Sequence, residues 1–430
     1  MKRWAACAAL LLGALPGALH AQESTGSQGF AELRLSLFPG ADGQAWQLVE
    51  RVRPTLTAEL SERIKLVATV EAGLRQGRDL TRELERTLEA SALGPVLQEL
   101  QCRWPRYENT LLRIDGAADY LYVDRLYLDV YAGALDVRVG RQALNWGSAQ
   151  FFNPTDPFPE VLLAEPWRAR RGVNAVRAVV PIGESHDVTA VVASNDALNE
   201  LRAAAKLRLN WAGTDFALVS VYRGAHRNGL IGIDIRGTLE VGYWLEAAYL
   251  VGETPHEELA AGIDYSFSIF ERATAFLQYY RNGAGSTDPS GYQRNAILGG
   301  IRGPDCGSLP LSVGASPARD PFAAFTLGRD YLVAGANVLF IPELSASLAW
   351  LQNLNDGTGL LVPTVSYNAL DWLDLALSAQ VPYAAAGGGE LKPGRRDLRL
   401  RYGTLGDAVS VDLSGLVPDA TVTLWSRASF

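Results

Sequence analysis

The feature that most constrains this chain is a two-residue alternation of aliphatic and polar side chains in residues 120–142. Leu126, Leu128 and Val130 alternate with polar or charged residues, and after a two-residue break the pattern resumes. Because successive side chains of a β-strand point to opposite faces, this pattern places the aliphatic set on one face of a sheet. Two such runs joined by a tight turn predict an antiparallel hairpin.

The same alternation recurs along the chain, and most runs are about 9–11 residues long, the length of strand that crosses a bilayer at a tilt. No later segment has the length and apolarity of a transmembrane helix. A spanning chain without helices must close into a barrel, because only closure pairs every backbone amide in lipid. The other runs are residues 30–38, 49–60, 64–74, 203–211, 216–223, 230–236, 240–250, 260–267, 272–281, 329–340, 344–353, 360–369, 374–381, 397–402, 408–413 and 420–430.

The N-terminus has the pattern of a secretory signal peptide. Lys2 and Arg3 form a basic start, an apolar run continues to Leu19, and Ala21 is the expected residue before cleavage. No shift of composition divides the remaining chain. The expected organisation is therefore a signal peptide at residues 1–21 and a single outer-membrane β-barrel at residues 22–430.

The predicted fold class is all-β, a transmembrane antiparallel barrel of about 18–22 strands, with an even count because both chain ends are expected in the periplasm. The best guess is about 20 strands if residues 282–321 form one outer loop, and about 22 if they contain a further pair. Residues 76–109 interrupt the alternation. Leu80, Leu84 and Leu88 have helical spacing there, which predicts one short helix in an outer loop, either resting on the rim or folding into the lumen as a lid.

Charged residues fall on the polar face of the alternating runs. In a barrel this face lines the lumen, while the aliphatic face meets lipid. The predicted pore-lining residues are Arg125, Asp129, Arg138, Arg208, Asp234, Arg236, Glu246, Asp264, Arg399, Arg401 and Asp412.

The composition gives no sign of catalysis or of nucleic-acid binding. The formal net charge of −8 becomes −10 when Lys2 and Arg3 are removed, and a nucleic-acid partner favours a basic face. The mature chain has three histidines, none near a serine-nucleophile or metal-binding motif. We therefore predict no enzyme activity, no cofactor and no metal site. Cys102 and Cys306 have no neighbouring metal ligands, and whether they pair stays open.

Residues 140–172 contain a motif of turn-forming, aromatic and basic residues. It reads Gly140-Arg141-Gln142, Trp146-Gly147, Asn153-Pro154-Thr155-Asp156 and Arg170-Arg171-Gly172. This motif resembles that of a family of Gram-negative outer-membrane, porin-like proteins of unassigned function, related more distantly to the alginate-export barrel. The resemblance implies a monomeric barrel and a passive channel for small or hydrophobic solutes, with no reaction.

Two interpretations of the loop after residue 142 are open. In the first, the motif folds the loop against the barrel wall, with Arg141 and Gln142 as anchors and turn chemistry at Asn153 and Asp156. In the second, the loop is an inward constriction that sets solute selectivity. The constriction is then formed by Trp146, Phe151, Phe152 and Asn153, and its positive side by Arg168, Arg170 and Arg171.

The functional prediction is an outer-membrane channel for small or hydrophobic solutes. The alternatives are a polysaccharide export channel and a non-conducting barrel with a binding or attachment role. The expected partners are outer-membrane lipid, lipopolysaccharide and a small-molecule solute. The chain ends in an alternating run closed by Phe430, which resembles the C-terminal assembly signal of outer-membrane barrels and implies recognition by the barrel-assembly machinery.

Overall fold

The structure is a computed structural model. It describes residues 25–40, 45–78, 119–156, 158, 170–194, 201–223, 228–252, 255–289, 292, 326–384, 388–392, 399–402, 409–412 and 418–430. The first strands are β1 (Thr25–Leu37), β2 (Trp46–Ser61), β3 (Ile64–Arg78), β4 (Asp119–Ala132), β5 (Leu135–Gln142), β6 (Val173–Ile182), β7 (His186–Ser194), β8 (Leu201–Trp211), β9 (Thr214–Arg223) and β10 (Asn228–Thr238). They continue with β11 (Gly242–Val251), β12 (His256–Phe267), β13 (Arg272–Asn282), β14 (Asp330–Ile341), β15 (Leu344–Asn353), β16 (Thr358–Leu370), β17 (Leu373–Ala384), β18 (Arg399–Tyr402), β19 (Val409–Asp412) and β20 (Thr421–Ser429).

Eighteen of these strands form one closed antiparallel sheet. Each strand from β1 to β16 pairs with the next, β17 pairs with β20, and β20 pairs with β1. The closing register places Leu33 opposite Ser426 and Leu37 opposite Val422. The fold is thus the all-β antiparallel barrel that the sequence predicts, with a strand count at the lower end of the predicted range.

The best guess of 20 barrel strands was wrong because two predicted strands do not join the barrel. The runs at residues 397–402 and 408–413 appear as β18 and β19, which pair with each other in a separate two-stranded sheet. The barrel sheet passes directly from β17 to β20, so these two strands lie outside it. Arg399, Arg401 and Asp412, predicted to line the pore, therefore lie on this small hairpin and not on a barrel strand.

Two other predictions about the connections can be compared with the structure. Strand β13 pairs directly with β14, so the described barrel sheet passes from residue 282 to residue 330 without a further strand pair between them. Strand β3 continues to Arg78, slightly beyond the predicted interruption at residue 76. The rest of the predicted helical segment lies outside the described residues, as do the predicted signal peptide, Cys102 and Cys306.

The two ends of the barrel differ in their connections. At one end, turns of two to four residues join β2 to β3, β4 to β5 and each later even-numbered strand to the next odd-numbered one, up to β16 and β17. At the other end lie the long connections, including the 30 residues between Gln142 and Val173. Phe430 lies at the short-turn end, where its backbone exchanges hydrogen bonds of 2.8 and 3.0 Å with Gly29 of β1. Short turns are periplasmic in bacterial barrels.

The two faces of the barrel wall separate apolar from polar side chains. Outward residues such as Leu218, Ile231 and Leu424 are large, apolar and more than half exposed. Their sequence neighbours face inward and include many buried polar groups, as alternation requires. This apolar-out, polar-in pattern is typical of a barrel in lipid. The described part of the chain contains no helix with the length and apolarity needed to cross a membrane.

Candidate functional site: a loop held inside the barrel

The described parts of the connection between β5 and β6, residues 143–156, 158 and 170–172, lie against the inner wall of the barrel. The connection leaves β5 through Gln142, which is fully buried and donates a 3.0 Å hydrogen bond to the carbonyl of Ala175 on β6. Trp146 is also buried, next to inner-wall residues of β7 to β11. Gly147 follows with a φ of +83°, a conformation that glycine adopts without steric cost. The chain thereby turns toward the wall opposite β5.

A compact turn closes the tip of the loop. The amide of Asp156 donates to the carbonyl of Asn153 at 3.1 Å, and the amide of Phe158 donates to the Asp156 carboxylate at 2.9 Å. Arg170 pairs with the same carboxylate and also donates to the carbonyl of Phe158 at 3.2 Å. Burial raises the pKa of the Asp156 carboxyl, and the Arg170 guanidinium opposes that rise. Arg170 therefore joins the outgoing and returning arms of the loop.

Glu246, on the inner face of β11, makes more hydrogen bonds to the loop than its neighbours. We call Glu246 and the other wall side chains that bind the loop, Asp234, Arg236 and Gln278, the loop seat. Glu246 Oε1 accepts from the amides of Ser148 at 2.6 Å and Ala149 at 2.7 Å. Its Oε2 accepts from the amide of Thr155 at 3.1 Å and from the Thr155 hydroxyl at 2.8 Å. The carboxylate is fully buried, so four donors replace the water that a buried charge requires.

Neighbouring inner-wall strands extend this seat on both sides. On β10, Asp234 accepts from the Ser148 hydroxyl, and Arg236 donates to the Ser148 carbonyl at 3.0 Å. On β13, the Gln278 carbonyl accepts from the amides of Gln150 and Phe151, at 3.0 and 3.3 Å, while its amide group donates to the carbonyl of Phe152 at 3.1 Å. Backbone groups that would otherwise be unpaired are satisfied by wall side chains.

An aromatic contact completes the attachment. Phe152 stacks on Tyr280 of β13 with ring centroids 4.3 Å apart, and lies 5.9 Å from the ring of Tyr331 on β14. Phe152 is 4 % exposed, and both tyrosines are fully buried. The Tyr280 hydroxyl donates to Glu258 at 3.0 Å. Burial of three aromatic rings adds a large apolar contribution to the polar seat.

A second inward segment, residues 388–392, meets the same cluster. Its Glu390 carboxylate accepts from the amide of Leu327 at 2.7 Å, from Asn353 at 2.8 Å and from the Tyr331 hydroxyl. Leu391 packs against the hydrophobic cluster that contains Phe152. Burial raises the pKa of the Glu390 carboxyl, opposed by its hydrogen bonds to Tyr331 and to backbone amides. The two inward segments therefore share one buried contact region.

Across the barrel, the inner wall near the closing seam is rich in arginine and ion pairs. Glu32 of β1 accepts from Arg51 at 2.7 Å and from Arg427 at 2.8 Å, and is almost fully buried. Arg53 pairs with Asp124 at 2.5 Å. Buried pairs of this kind are costly to break by removing one partner.

Asp124 connects this arginine-rich wall to the returning arm of the loop. It is the unpaired residue of a β-bulge in β4, since Arg125 pairs with Thr69 and Val123 with Val70. Its carboxylate accepts from the amide of Gly172 at 3.1 Å. Arg125 donates to the Arg170 carbonyl at 3.0 Å. A bulge at this point thus turns an additional carboxylate toward the loop.

The half of the inner wall near the short turns is more accessible to water. Arg236 and Asp264 are 48 % and 36 % exposed, with a contact of 3.8 Å between them. Arg208 is 38 % exposed and bonds Asp187 at 2.6 Å. The part of the lumen between the inward-folded loop and the short turns is therefore a charged, water-accessible vestibule.

The predicted site residues fall into three groups. Asp234, Arg236 and Glu246 contact the loop, and Arg125 contacts its returning arm. Asp129 pairs with Arg138 through bonds of 2.5 and 2.9 Å, while Arg208 and Asp264 lie lower on the wall. Of the predicted loop residues, Arg141, Gln142, Trp146 and Asp156 are buried, Asn153, Arg170 and Arg171 are half-buried, and Arg168 lies outside the described residues.

The sequence interpretation missed several residues of the seat. Gln278, Tyr280, Tyr331 and Glu390 were not singled out, and Asp124 was obscured by the bulge. One usable signal was present: Gln278 is a polar residue within the aromatic run of β13, where a barrel strand places it on the inner face. Contacts between residues more than 90 positions apart, such as Ser148 with Glu246, leave no local pattern.

Comparisons with solved structures agree on the fold. The chain is similar to OccK5 (OpdH) of Pseudomonas aeruginosa, with a TM-score of 0.52, 8 % identity and coverage of 95 % of this chain and 98 % of that one. It is also similar to OccK1 (OpdK) of Pseudomonas aeruginosa (TM-score 0.50, 11 % identity, 94 % and 98 % covered) and OccAB1 of Acinetobacter baumannii (0.50, 9 %, 96 % and 99 %). No protein-family model and no curated protein sequence matches. Identities this low establish a shared barrel architecture.

Proposed function

We propose that this protein is a Gram-negative outer-membrane porin that lets small solutes cross passively through a lumen narrowed by the inward-folded part of the β5–β6 connection, residues 143–156. The observation that carries the proposal is the attachment of this loop to the inner wall, through Glu246 and Gln278, inside a closed 18-stranded barrel. A loop fixed in the lumen sets the cross-section available to a solute.

The wall chemistry favours small polar solutes over hydrophobic ones. Many apolar inner-wall residues belong to two buried clusters that pack with the loop, around Trp146 and Phe152. The accessible inner residues are charged, as Arg208, Arg236 and Asp264 illustrate. A solute that passes this surface exchanges water for charged and hydrogen-bonding groups, which suits ions and small polar molecules.

Charged groups lie on both sides of the loop. The seat holds the carboxylates of Asp234 and Glu246, while on the seam wall Arg51 and Arg427 pair with Glu32, and Arg53 pairs with Asp124. Charged and hydrogen-bonding groups that border a narrow lumen set which solutes pass. We therefore propose both an inward loop anchored on the wall and a constriction, so that the two interpretations of residues 143–172 describe one structure.

The alternative of polysaccharide export is less well supported. It requires a continuous electropositive path, but Arg51, Arg138 and Arg208 are each paired with a carboxylate. The motif that resembles the porin-like family lies in residues 140–172 and supplies the anchoring loop. The proposal also includes membership of that porin-like family, which rests on the motif, and the absence of enzyme activity.

The remaining parts of the proposal concern the environment of the barrel. Outer-membrane lipid and lipopolysaccharide would contact the apolar outer face. The barrel-assembly machinery would recognise the last strand, in which Leu424 and Phe430 are exposed while Trp425 is buried. The pairing of Phe430 with Gly29 at the barrel seam supports a role for this residue in closure.

The direct test is single-channel recording of the purified, refolded protein in planar bilayers of neutral lipid in 1 M potassium chloride, about the salt level that screens surface charge. The proposal predicts discrete conductance steps that neutral polymers below a threshold size reduce. Protein that is folded by heat-modifiability on gels, yet gives no steps above background, would remove the channel function.

A further inference from the structure

The membrane-facing wall has a hollow centred on Ala247. The strand register places Ile233, Ala247 and Leu259 side by side on β10, β11 and β12, so a small residue lies between two larger ones. Ile231 and Tyr249 form the next row toward the long connections. These residues border a cavity of about 510 Å³. Because they alternate with inward residues such as Glu246, the hollow opens toward lipid and not toward the lumen.

A cation lies at the side of this hollow. Arg281 is the register partner of Leu259 and is the next-to-last residue of β13, close to the long connections. Its guanidinium is 3.5 Å from Glu257 and 3.8 Å from Asp330, and Tyr279 donates to Asp330 at 2.5 Å. Charges on a lipid face are costly at the bilayer centre and cost little near its interfaces. This group therefore marks the headgroup level, with the apolar hollow beside it.

We propose that this surface binds one molecule of a phosphorylated glycolipid of the lipid A type, with an acyl chain in the hollow and a phosphate on Arg281. The proposal rests on the proposed function, because only an outer membrane presents that lipid at the end with the long connections. An acyl chain that lies in the hollow makes van der Waals contacts with the apolar side chains that line it. The two carboxylate contacts of Arg281 are long. Its guanidinium also hydrogen-bonds Tyr279, and because it carries five N–H groups, others remain for charge-assisted bonds to phosphate.

The test is a titration of the refolded full-length barrel with lipid A in detergent, read by native mass spectrometry as the fraction carrying one lipid. Ala247→Phe fills the hollow and Arg281→Gln removes the cation. Each is expected to weaken binding of the first lipid at least tenfold. Two matched controls are expected to bind as the parent does. Ala205→Phe enlarges an exposed outer-face alanine flanked by Ala190 and Ser220, and Arg272→Gln removes the cation at the opposite end of β13.

Equal binding by all five proteins would overturn the proposal, as would equal loss in the controls and the two test variants. Displacement of lipid A by an equal concentration of phosphatidylglycerol would also overturn it, because the site would then lack glycolipid specificity. Conductance of the same samples in neutral bilayers separates this result from the channel function. Loss of lipid binding with unchanged conductance in Ala247→Phe is the expected combination, whereas a non-conducting parent that binds lipid A would refute only the channel.

Discussion

Replacement of Glu246 by glutamine tests the attachment of residues 143–172 in the most informative way. The substitution keeps the size of the side chain, but an amide has one acceptor oxygen. One pair of donors, either the Ser148 and Ala149 amides or the two Thr155 groups, then faces an NH₂ group. The loop loses two of the four bonds that hold it to β11.

The magnitude follows from those bonds. A hydrogen bond to a charged group contributes about 1.5–3 kcal/mol, so losing two costs about 3–6 kcal/mol. Removing a buried charge offsets part of this cost. A remaining effect of about 3 kcal/mol corresponds to a roughly 100-fold shift from the attached toward the detached loop. The expected phenotype is a barrel that folds normally but shows frequent transitions to a higher conductance level.

The assay is single-channel recording in neutral bilayers, with the parent and Asp187→Asn recorded under the same conditions. Asp187 is also an inner-wall carboxylate, but it bonds Arg208 on the adjacent strand, so its replacement keeps the loop seat intact. The reasoning is refuted if Glu246→Gln has the conductance level and the noise of the parent. It is also refuted if Asp187→Asn produces the same transitions, because the effect would then reflect lost wall charge.

Three further predictions concern the same region. Phe152→Ala removes the stack on Tyr280, which is expected to cost about 3–5 kcal/mol of loop attachment and to raise current noise, whereas Phe152→Leu is expected to restore most of it. Gly147→Ala is expected to lower the thermal midpoint of unfolding measured by gel heat-modifiability, because φ of residue 147 is +83° and the new Cβ would lie 2.7 Å from Glu246. Gly133 also has a positive φ but lies at an exposed turn with open space around it, so Gly133→Ala is the control for backbone strain alone. The pKa values of Asp156 and Glu390 are raised when the inward segments are attached to the wall. Attachment is therefore strongest below the ordinary carboxyl pKa of about 4 and weakens as the pH rises through the raised pKa values. More transitions to the open level are expected at pH 8 than at pH 5, and the reverse order would contradict this reasoning.

The barrel itself was predictable because alternation is a local property. Leu126 and Leu128 face outward and Asp129 faces inward as the two-residue period requires. The best guess of the strand count was too high because the alternating residues of β18 and β19 pair with each other in a separate sheet and not with the barrel. Alternation reports which face a residue occupies, but it carries no information about whether a strand pairs with the barrel.

The loop seat was only partly predictable, for a different physical reason. Parity placed Asp234 and Glu246 on the inner face, and the turn chemistry of Asn153 and Asp156 was readable from their sequence. Their contacts with Ser148 and Arg170 depend on how residues 143–172 cross the lumen. That path is set by Gly147 and by wall residues far away in sequence, such as Gln278. No period or motif encodes such a long-range fit.

The central claim is that residues 143–172 lie in the path of the current. Gln150 is exposed on this loop, so we would place a single cysteine there in a Cys102→Ser, Cys306→Ser background, with Ala205→Cys on the outer wall as the control. A bulky, charged thiol reagent added to an open channel is predicted to reduce the current of Gln150→Cys in one irreversible step, and to leave that of Ala205→Cys unchanged. An unchanged current after complete modification of Gln150→Cys would contradict the account.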